Sequence, residues 1–170
     1  GQLRLYSQDN FGEDLIFNIR GGGVYYWDES SGTGTRGIPL TSLGSASNPP
    51  TIALQVMVSD TDQHVIAFGA NPIGSSDIDP LFVRFSDQEN AADWTPTAIN
   101  TAGGVRINSG SEVTGAIQTR QEILIWTDAS LHSMRFVGAP FTFQFSRLST
   151  DISMISPNAA VNARGVVYFM

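Results

Sequence analysis

An all-β protein assembled from antiparallel sheets is what this 170-residue sequence predicts, and three observations predict it. Helical periodicity is nearly absent, and the candidate window free of Gly and Pro, around Ser86 to Ala92, is too short and polar to bury a face. Short apolar or alternating runs recur along the chain, punctuated by Gly, Asn, Asp and Pro. The 17 glycines and 8 prolines supply a turn density that suits many short strands.

Taken in order, strands are expected over Leu3 to Tyr6, Leu15 to Ile19 and Val24 to Trp27. After a Gly/Ser/Thr loop come Ile52 to Val58, Val65 to Phe68 and Leu81 to Phe85. Val113 to Ile117, Ile123 to Trp126, Leu131 to Val137, Phe141 to Phe145 and Val166 to Phe169 complete the set. Gly22 or Gly23 is expected to supply the positive φ of the turn before Val24.

An internal repeat orders these strands. Asp14-Leu15-Ile16-Phe17 followed by Gly23-Val24-Tyr25-Tyr26-Trp27 matches Glu122-Ile123-Leu124-Ile125-Trp126 followed by Ser130-Leu131-His132-Ser133-Met134. Each is an acidic residue, an apolar strand, a turn and a bulky second strand. His64 to Phe68 with Leu81 to Phe85 is a third instance, and Ala160 to Ala163 with Gly165 to Phe169 begins a fourth. The repeats start near 14, 64, 122 and 160, a spacing that suits one four-stranded sheet per unit. The expected fold is therefore a β-propeller-like array of antiparallel four-stranded sheets, with a β-sandwich as the alternative. Because Val166 to Met170 reads as a strand with no turn after it, residues 1–170 are expected to be a propeller fragment of about three blades plus the start of another.

Composition then narrows the function. The formal net charge is −7 and every one of the nine cations is arginine, so a general grip on nucleic-acid phosphates is not expected. Without cysteine there is no disulfide framework, thiolate metal site or thiol catalysis. No stretch approaches 18 uninterrupted apolar residues, and Gly1-Gln2-Leu3-Arg4 lacks the pattern of a secretory signal, so no membrane partner is expected.

Candidate chemical motifs read as structural. No Gly-x-Ser-x-Gly elbow occurs, and Ser109-Gly110-Ser111 sits in a turn without strand-to-helix context. His64 and His132 both fall at strand positions. The glycine-rich Gly32-Thr33-Gly34-Thr35-Arg36-Gly37 has no lysine or helix after it and follows Asp28 and Glu29, which disfavours phosphate. Asp60, Asp62, Asp77 and Asp79 place carboxylates two apart, as calcium loops do, but lack the remainder of that loop and read as turn residues; ion binding there is left open. Asp87, Glu89 and Asp93 could supply paired carboxylates for glycoside hydrolysis, a mechanism that depends on spatial separation rather than sequence spacing. Ser86 to Asn90 with Asp93-Trp94-Thr95-Pro96 partly resembles the Asp-box turn of sialidase-type propellers, though its Gly is missing. That likeness implies a structural lock by Asp87, Asp93 and a buried Trp94. No catalytic, cofactor-binding or metal residue is assigned.

Longer phrases carry a broader likeness. Asp9-Asn10-Phe11-Gly12-Glu13-Asp14-Leu15, Arg20-Gly21-Gly22-Gly23-Val24-Tyr25-Tyr26-Trp27 and Arg84-Phe85-Ser86-Asp87-Gln88-Glu89-Asn90 occur in that order. They are followed by Ser109 to Val113, Gln118 to Glu122, Trp126-Thr127-Asp128 and Gly138 to Phe143. Together they resemble the tail nozzle proteins, or tail tubular proteins B, of short-tailed bacteriophages. The resemblance implies a non-enzymatic virion component: a homo-hexameric ring of propeller-like domains in the phage tail, below the portal and adaptor and beside tail-fibre proteins. DNA would leave through its lumen without sequence-specific binding. An acidic wall without lysine suits such a conduit, because it repels phosphate. The alternatives are a carbohydrate-active propeller, sialidase-like or depolymerase, and a non-catalytic sugar- or protein-binding module.

Overall fold

A computed structural model describes residues 3–170; Gly1 and Gln2, the start of the amino-terminal segment read above, lie outside the described residues. Three four-stranded antiparallel meanders follow one another along the chain, then a two-stranded sheet. Sheet 1 holds β1 (Tyr6–Phe11), β2 (Asp14–Ile19), β3 (Val24–Trp27) and β4 (Ile38–Pro39). Sheet 2 holds β5 (Gln55–Val58), β6 (Val65–Phe68), β7 (Phe82–Phe85) and β8 (Gly103–Arg106). Sheet 3 holds β9 (Val113–Gln118), β10 (Ile123–Thr127), β11 (Ser130–Gly138) and β12 (Thr142–Thr150), and sheet 4 pairs β13 (Ala160–Ala163) with β14 (Val166–Phe169).

The propeller-like array follows from how sheet 2 distributes its side chains. Successive strand residues point to opposite faces. Val56, Val58, Val65 and Ala67 pack toward sheet 1 with Ile16, Val24 and Leu40. Met57, Ile66, Phe68, Val83 and Phe85 pack toward sheet 3 with Val113, Ile123, Ile125 and Met134. Sheet 2 is therefore a middle layer with a core on each side, which explains why β6 (Val65–Phe68) reads as an unbroken apolar run and is buried throughout.

The first strand of each sheet is its inner edge, and β1 lies against β5 as β13 lies against β9. An edge strand leaves backbone groups unpaired, and here the neighbouring sheet satisfies them. Val56 N–H donates to Ser7 Oγ at 2.8 Å and Val58 N–H to Asp9 Oδ2 at 2.9 Å. Gln55 clasps Ala116 on β9, donating from Nε2 to its carbonyl and accepting its N–H at Oε1, both at 2.8 Å. Asn162 Nδ2 on β13 donates to the Gln118 carbonyl at 3.2 Å.

Several boundaries differ from the sequence expectations. The first strand is not Leu3 to Tyr6 but the polar Tyr6–Phe11, because its alternate residues Ser7 and Asp9 serve β5 rather than a core. The short β4 and the glycine-containing β8 carry no apolar run to reveal them. The fourth repeat was aligned one strand early: the second strands begin at 14, 65, 123 and 166, while residue 160 opens a first strand. The left-handed turn residue before β3 is Gly21, φ +68, and not Gly22 or Gly23. Gly23 is constrained by space instead, since a Cβ there would sit 3.0 Å from the Tyr25 ring.

Trp94 fills the core between sheets 1 and 2 at 0% exposure, and Trp94→Ala should lower unfolding free energy by about 3–5 kcal/mol in a urea titration. Gln55→Ala should lose about 1–3 kcal/mol by stranding both backbone groups of Ala116; an unchanged midpoint would show that the inner edge needs no clasp.

Candidate functional site

The turns that join first to second strand gather at one end of the array. Phe11 to Asp14 share a pocket with Gln63, the β5–β6 turn shares another with Arg120 to Glu122, and those residues share a third with Gly165. Strand direction brings Asp28, Glu29, Asp87, Glu89 and Asp93 to the same end, because β3 and β7 both run toward it. This end is therefore rich in carboxylates, and a pocket of about 550 Å³, open to solvent, is lined by Glu13, Asp14, Asp28, Glu29 and Glu89.

Two of these five carboxylates are already committed. Asp14 accepts the Tyr26 hydroxyl and the Glu29 N–H, the latter at 3.0 Å, and Asp28 caps a short 3-10 turn by accepting from Ser30 N at 2.8 Å. Burial pushes the Tyr26 phenol well above its ordinary range, and the Asp14 carboxylate adds to that. Glu13, Glu29 and Glu89 remain exposed. Sequence reasoning noted Asp28 and Glu29 only as flanks of the glycine-rich loop and did not join them to Glu13 and Asp14; the signal available was that each falls at a strand end.

Glu122 repeats the role of Asp14. Each begins or precedes a second strand and reaches across to the third, Asp14 to Tyr26 and Glu122 to Ser133 and to Arg135 Nε at 3.0 Å. The recurring acid in the sequence repeat is thus a cross-strand tie.

Asp62 does the corresponding work in sheet 2, but inward. Its carboxylate takes the Ser59 hydroxyl and faces His64 Nδ1, both side chains buried. His64 Nε2 lies 2.9 Å from Thr101 Oγ1, giving an Asp-His-Thr series with the outline of a nucleophilic triad. Proton bookkeeping rules out that use. Thr101 Oγ1 donates to Asp87 Oδ1 at 2.7 Å, so it can only accept from His64, and the proton must sit on Nε2. A donor nitrogen cannot deprotonate its own acceptor. Phe85 and Phe143 pack edge-on to the His64 ring, which holds the network inside the sheet 2–sheet 3 junction.

The other singled-out residues are structural as well. His132 bonds Ser130 Oγ at 2.8 Å, and burial, with help from Arg147, lowers its pKa; no carboxylate bonds this ring. Ser111 is tied to Asp128 by its N–H at 2.7 Å and by its hydroxyl, and these bonds hold the Asp128 carboxyl below its ordinary value. Gly110 permits that turn, with φ +94 and no room for a Cβ beside Asp128. The glycine-rich loop leans on sheet 1: Trp27 Nε1 donates to the Thr35 carbonyl at 3.0 Å, and Gly37 abuts the Phe17 ring. Asp79 pairs with Arg106 at 2.8 Å and caps Leu81 N–H, while Asp60 and Asp77 are exposed. Among the described residues, no group of three or more His, Cys, Asp or Glu is arranged to hold a metal ion.

Asp87, Asp93 and Trp94 form a lock between sheets 1 and 2. Asp87 N–H donates to the Asp93 carbonyl at 2.7 Å, and Trp94 N–H to the Ser47 carbonyl at 2.9 Å. Asp93 uses both oxygens, on Thr95 N–H and Asn100 Nδ2. Arg84, missed by sequence reasoning although it interrupts an apolar strand, lies over the Trp94 ring at 5.7 Å and donates to the carbonyls of Asn71 and Asn48. Burial without a carboxylate lowers its pKa to about 10.

No model of a known protein family matches this chain, and no curated protein sequence matches it significantly.

Burial acts to raise the Asp87 pKa, but bonds from Thr101 and Gln88 and the nearby His64 outweigh it and hold the carboxyl below its ordinary value of 3.8. A lowered folded-state pKa gives stability that is complete above the ordinary value and fades as acid takes the pH below it. Asp87→Asn should therefore destabilise by about 1 kcal/mol at pH 7, with the gap to the parent narrowing below about pH 4 in urea titrations; a pH-independent gap would contradict this assignment.

Proposed function

We propose that this chain is a structural component of a short-tailed phage tail nozzle, located in the virion as part of a six-membered ring beneath portal and adaptor, beside tail-fibre proteins. DNA passes along its wall without being read. The resemblance of the ordered phrases from Asp9 to Phe143 supports this, and one structural observation carries it furthest. Exposed Glu13, Asp28, Glu29, Asp60 and Glu89 gather at one end of the array on sheets 1 and 2, while the exposed arginines of that end, Arg120, Arg135 and Arg164, lie on sheets 3 and 4. A surface of that kind repels a polyanion and gives it no phosphate grip, which favours sliding over retention. The side chains with catalytic outlines are consumed by structural hydrogen bonds, as a passive wall requires.

A second reading, a carbohydrate-active sheet array, is favoured by the pocket at this same end. Glu13, Glu29 and Glu89 leave free carboxylates around it, but Asp87 and Asp93, the other candidates for a carboxylate pair with Glu89, are tied up in the lock.

Gold-labelled antibody against the chain should decorate purified short-tailed virions at the tail axis in electron micrographs, with six-fold density at that position. Particles free of label, together with release of reducing sugar from capsular polysaccharide that Glu89→Gln abolishes, would replace the nozzle by the enzyme.

A further inference from the structure

A smaller cleft opens where the β5–β6 turn of sheet 2 faces sheet 3, at the same end of the array as the carboxylate pocket but at the next sheet junction. Its volume is about 270 Å³, and both of its walls are sheets of this chain, joined by the core between sheets 2 and 3. Ile123, Met134 and Phe143, all buried, form its floor. Phe136 stands T-shaped to Phe143 at 5.7 Å and keeps 37% of its surface open. Around this apolar base lie Thr61, Gln118, Arg120 and Gln121. An aromatic base ringed by a few convergent polar groups is the composition of a small-ligand site.

The hydrogen bonds separate the engaged groups of this cleft from the free ones. Asp62 is held by Ser59 and His64, and Glu122 by Ser133 and Arg135, so both carboxylates on the cleft have partners. Arg120, exposed on the β9–β10 turn, pairs with no carboxylate among the described residues. Its guanidinium is the uncommitted charge of the cleft. Gln118 shares the strand face of Ala116, which packs toward sheet 2, because residues two apart on a strand point the same way. The Thr119 carbonyl takes its Nε2–H at 2.7 Å, which leaves Oε1 shielded from water and without a donor. An orphaned acceptor of this kind costs free energy until a donor reaches it.

We propose that this cleft binds one ring of an acidic sugar, a hexuronate. The C–H face of the ring rests on Phe136, a ring hydroxyl donates to Gln118 Oε1, and the carboxylate takes the paired N–H donors of Arg120. Thr61 and Gln121, both exposed, stand at the rim for the remaining hydroxyls. Each feature of the ligand answers a group that the fold leaves open. A nucleotide fits less well, because the volume falls below the roughly 300–1,000 Å³ of ordinary ligand pockets and no lysine or α-helix N-terminus is present to cradle phosphate. A neutral sugar leaves Arg120 unanswered. The site is distinct from the carboxylate pocket between sheets 1 and 2, where Glu13, Glu29 and Glu89 repel the same ligand. The inference requires neither catalysis nor a virion.

Saturation-transfer NMR between the purified chain and D-glucuronate tests it, with D-glucose and AMP titrated separately. Glucuronate should bind with a Kd of about 1 mM, as expected for a ligand of this size, and shift the backbone amides of Gln118 to Gln121 and of Phe136. Arg120→Ala, an exposed turn substitution that should leave circular dichroism unchanged, should weaken binding about tenfold or more. Arg36→Ala, which removes an equal charge from the glycine-rich loop beside sheet 1, should leave the affinity as it was. Absence of saturation transfer, an equal response to glucose or AMP, or unchanged binding by Arg120→Ala overturns the site. None of these results bears on six-fold density at the tail axis or on release of reducing sugar, which test the nozzle and the enzyme.

Discussion

The inner edges of the sheets set the constraint on which this architecture depends. A radial array brings the first strand of every sheet to the centre, where one side of its backbone has no strand to pair with. An unpaired buried N–H or carbonyl costs about 1–3 kcal/mol, so several such groups in a row would consume a large share of the stability of a domain this size. Ser7 and Asp9 answer two of them on β5, and the Gln55 amide answers both groups of Ala116 on β9. Ser7 does double service, since its own hydroxyl donates to Asn18, which in turn holds the Ala53 carbonyl. Side chains thus replace the missing strand, and they block addition of a foreign strand at the same edge.

With the inner edges closed, burial of the faces decides the rest. Ala67 and Arg84 are paired across β6 and β7 and both point toward sheet 1, while Phe68 and Val83 point toward sheet 3. A guanidinium in that position needs compensation, which comes from two loop carbonyls and the Trp94 ring instead of a carboxylate. The arrangement anchors the Asn48 and Asn71 loops to the centre of sheet 2, and the long β7–β8 connection folds over them to deliver Trp94. Electrostatics here serves placement of loops, with the lowered Arg84 pKa as the sign of what desolvation costs.

How much of this the sequence disclosed depends on whether a residue's role is local. The alternating and continuous apolar runs marked β3, β6 and β14 to the residue, because their side chains meet neighbouring sheets at regular spacing. The acid at the start of the second strand was visible as a repeat in sheets 1 and 3, and its cross-strand bond to the third strand explains why Asp14 and Glu122 match. Strand β1 was hidden, since Ser7, Gln8, Asp9 and Asn10 look like a loop until β5 is placed beside them. The carboxylate pocket was hidden for the same reason: Glu13 and Glu89 are 76 residues apart and meet only because two sheets stack. Long-range partners give residues their meaning at those sites, and a single sequence does not contain the partner's position.

The same stacking explains why polar side chains that look chemical are engaged in structural hydrogen bonds. Asp62, His64, Thr101 and Asp87 form a continuous hydrogen-bonded series, and a catalyst could be built from those groups if one end were open and the proton order reversed. Instead Thr101 gives its only proton to Asp87, and the aromatic rings of sheets 2 and 3 enclose the imidazole. A buried hydrogen-bonded network of this kind ties the β5–β6 turn to the β7–β8 connection at the junction of two sheets. Outside this network, Glu13, Glu29 and Glu89 stay exposed around the pocket where sheets 1 and 2 meet, because they lie on the turns beyond the strand ends and no cross-strand partner reaches them.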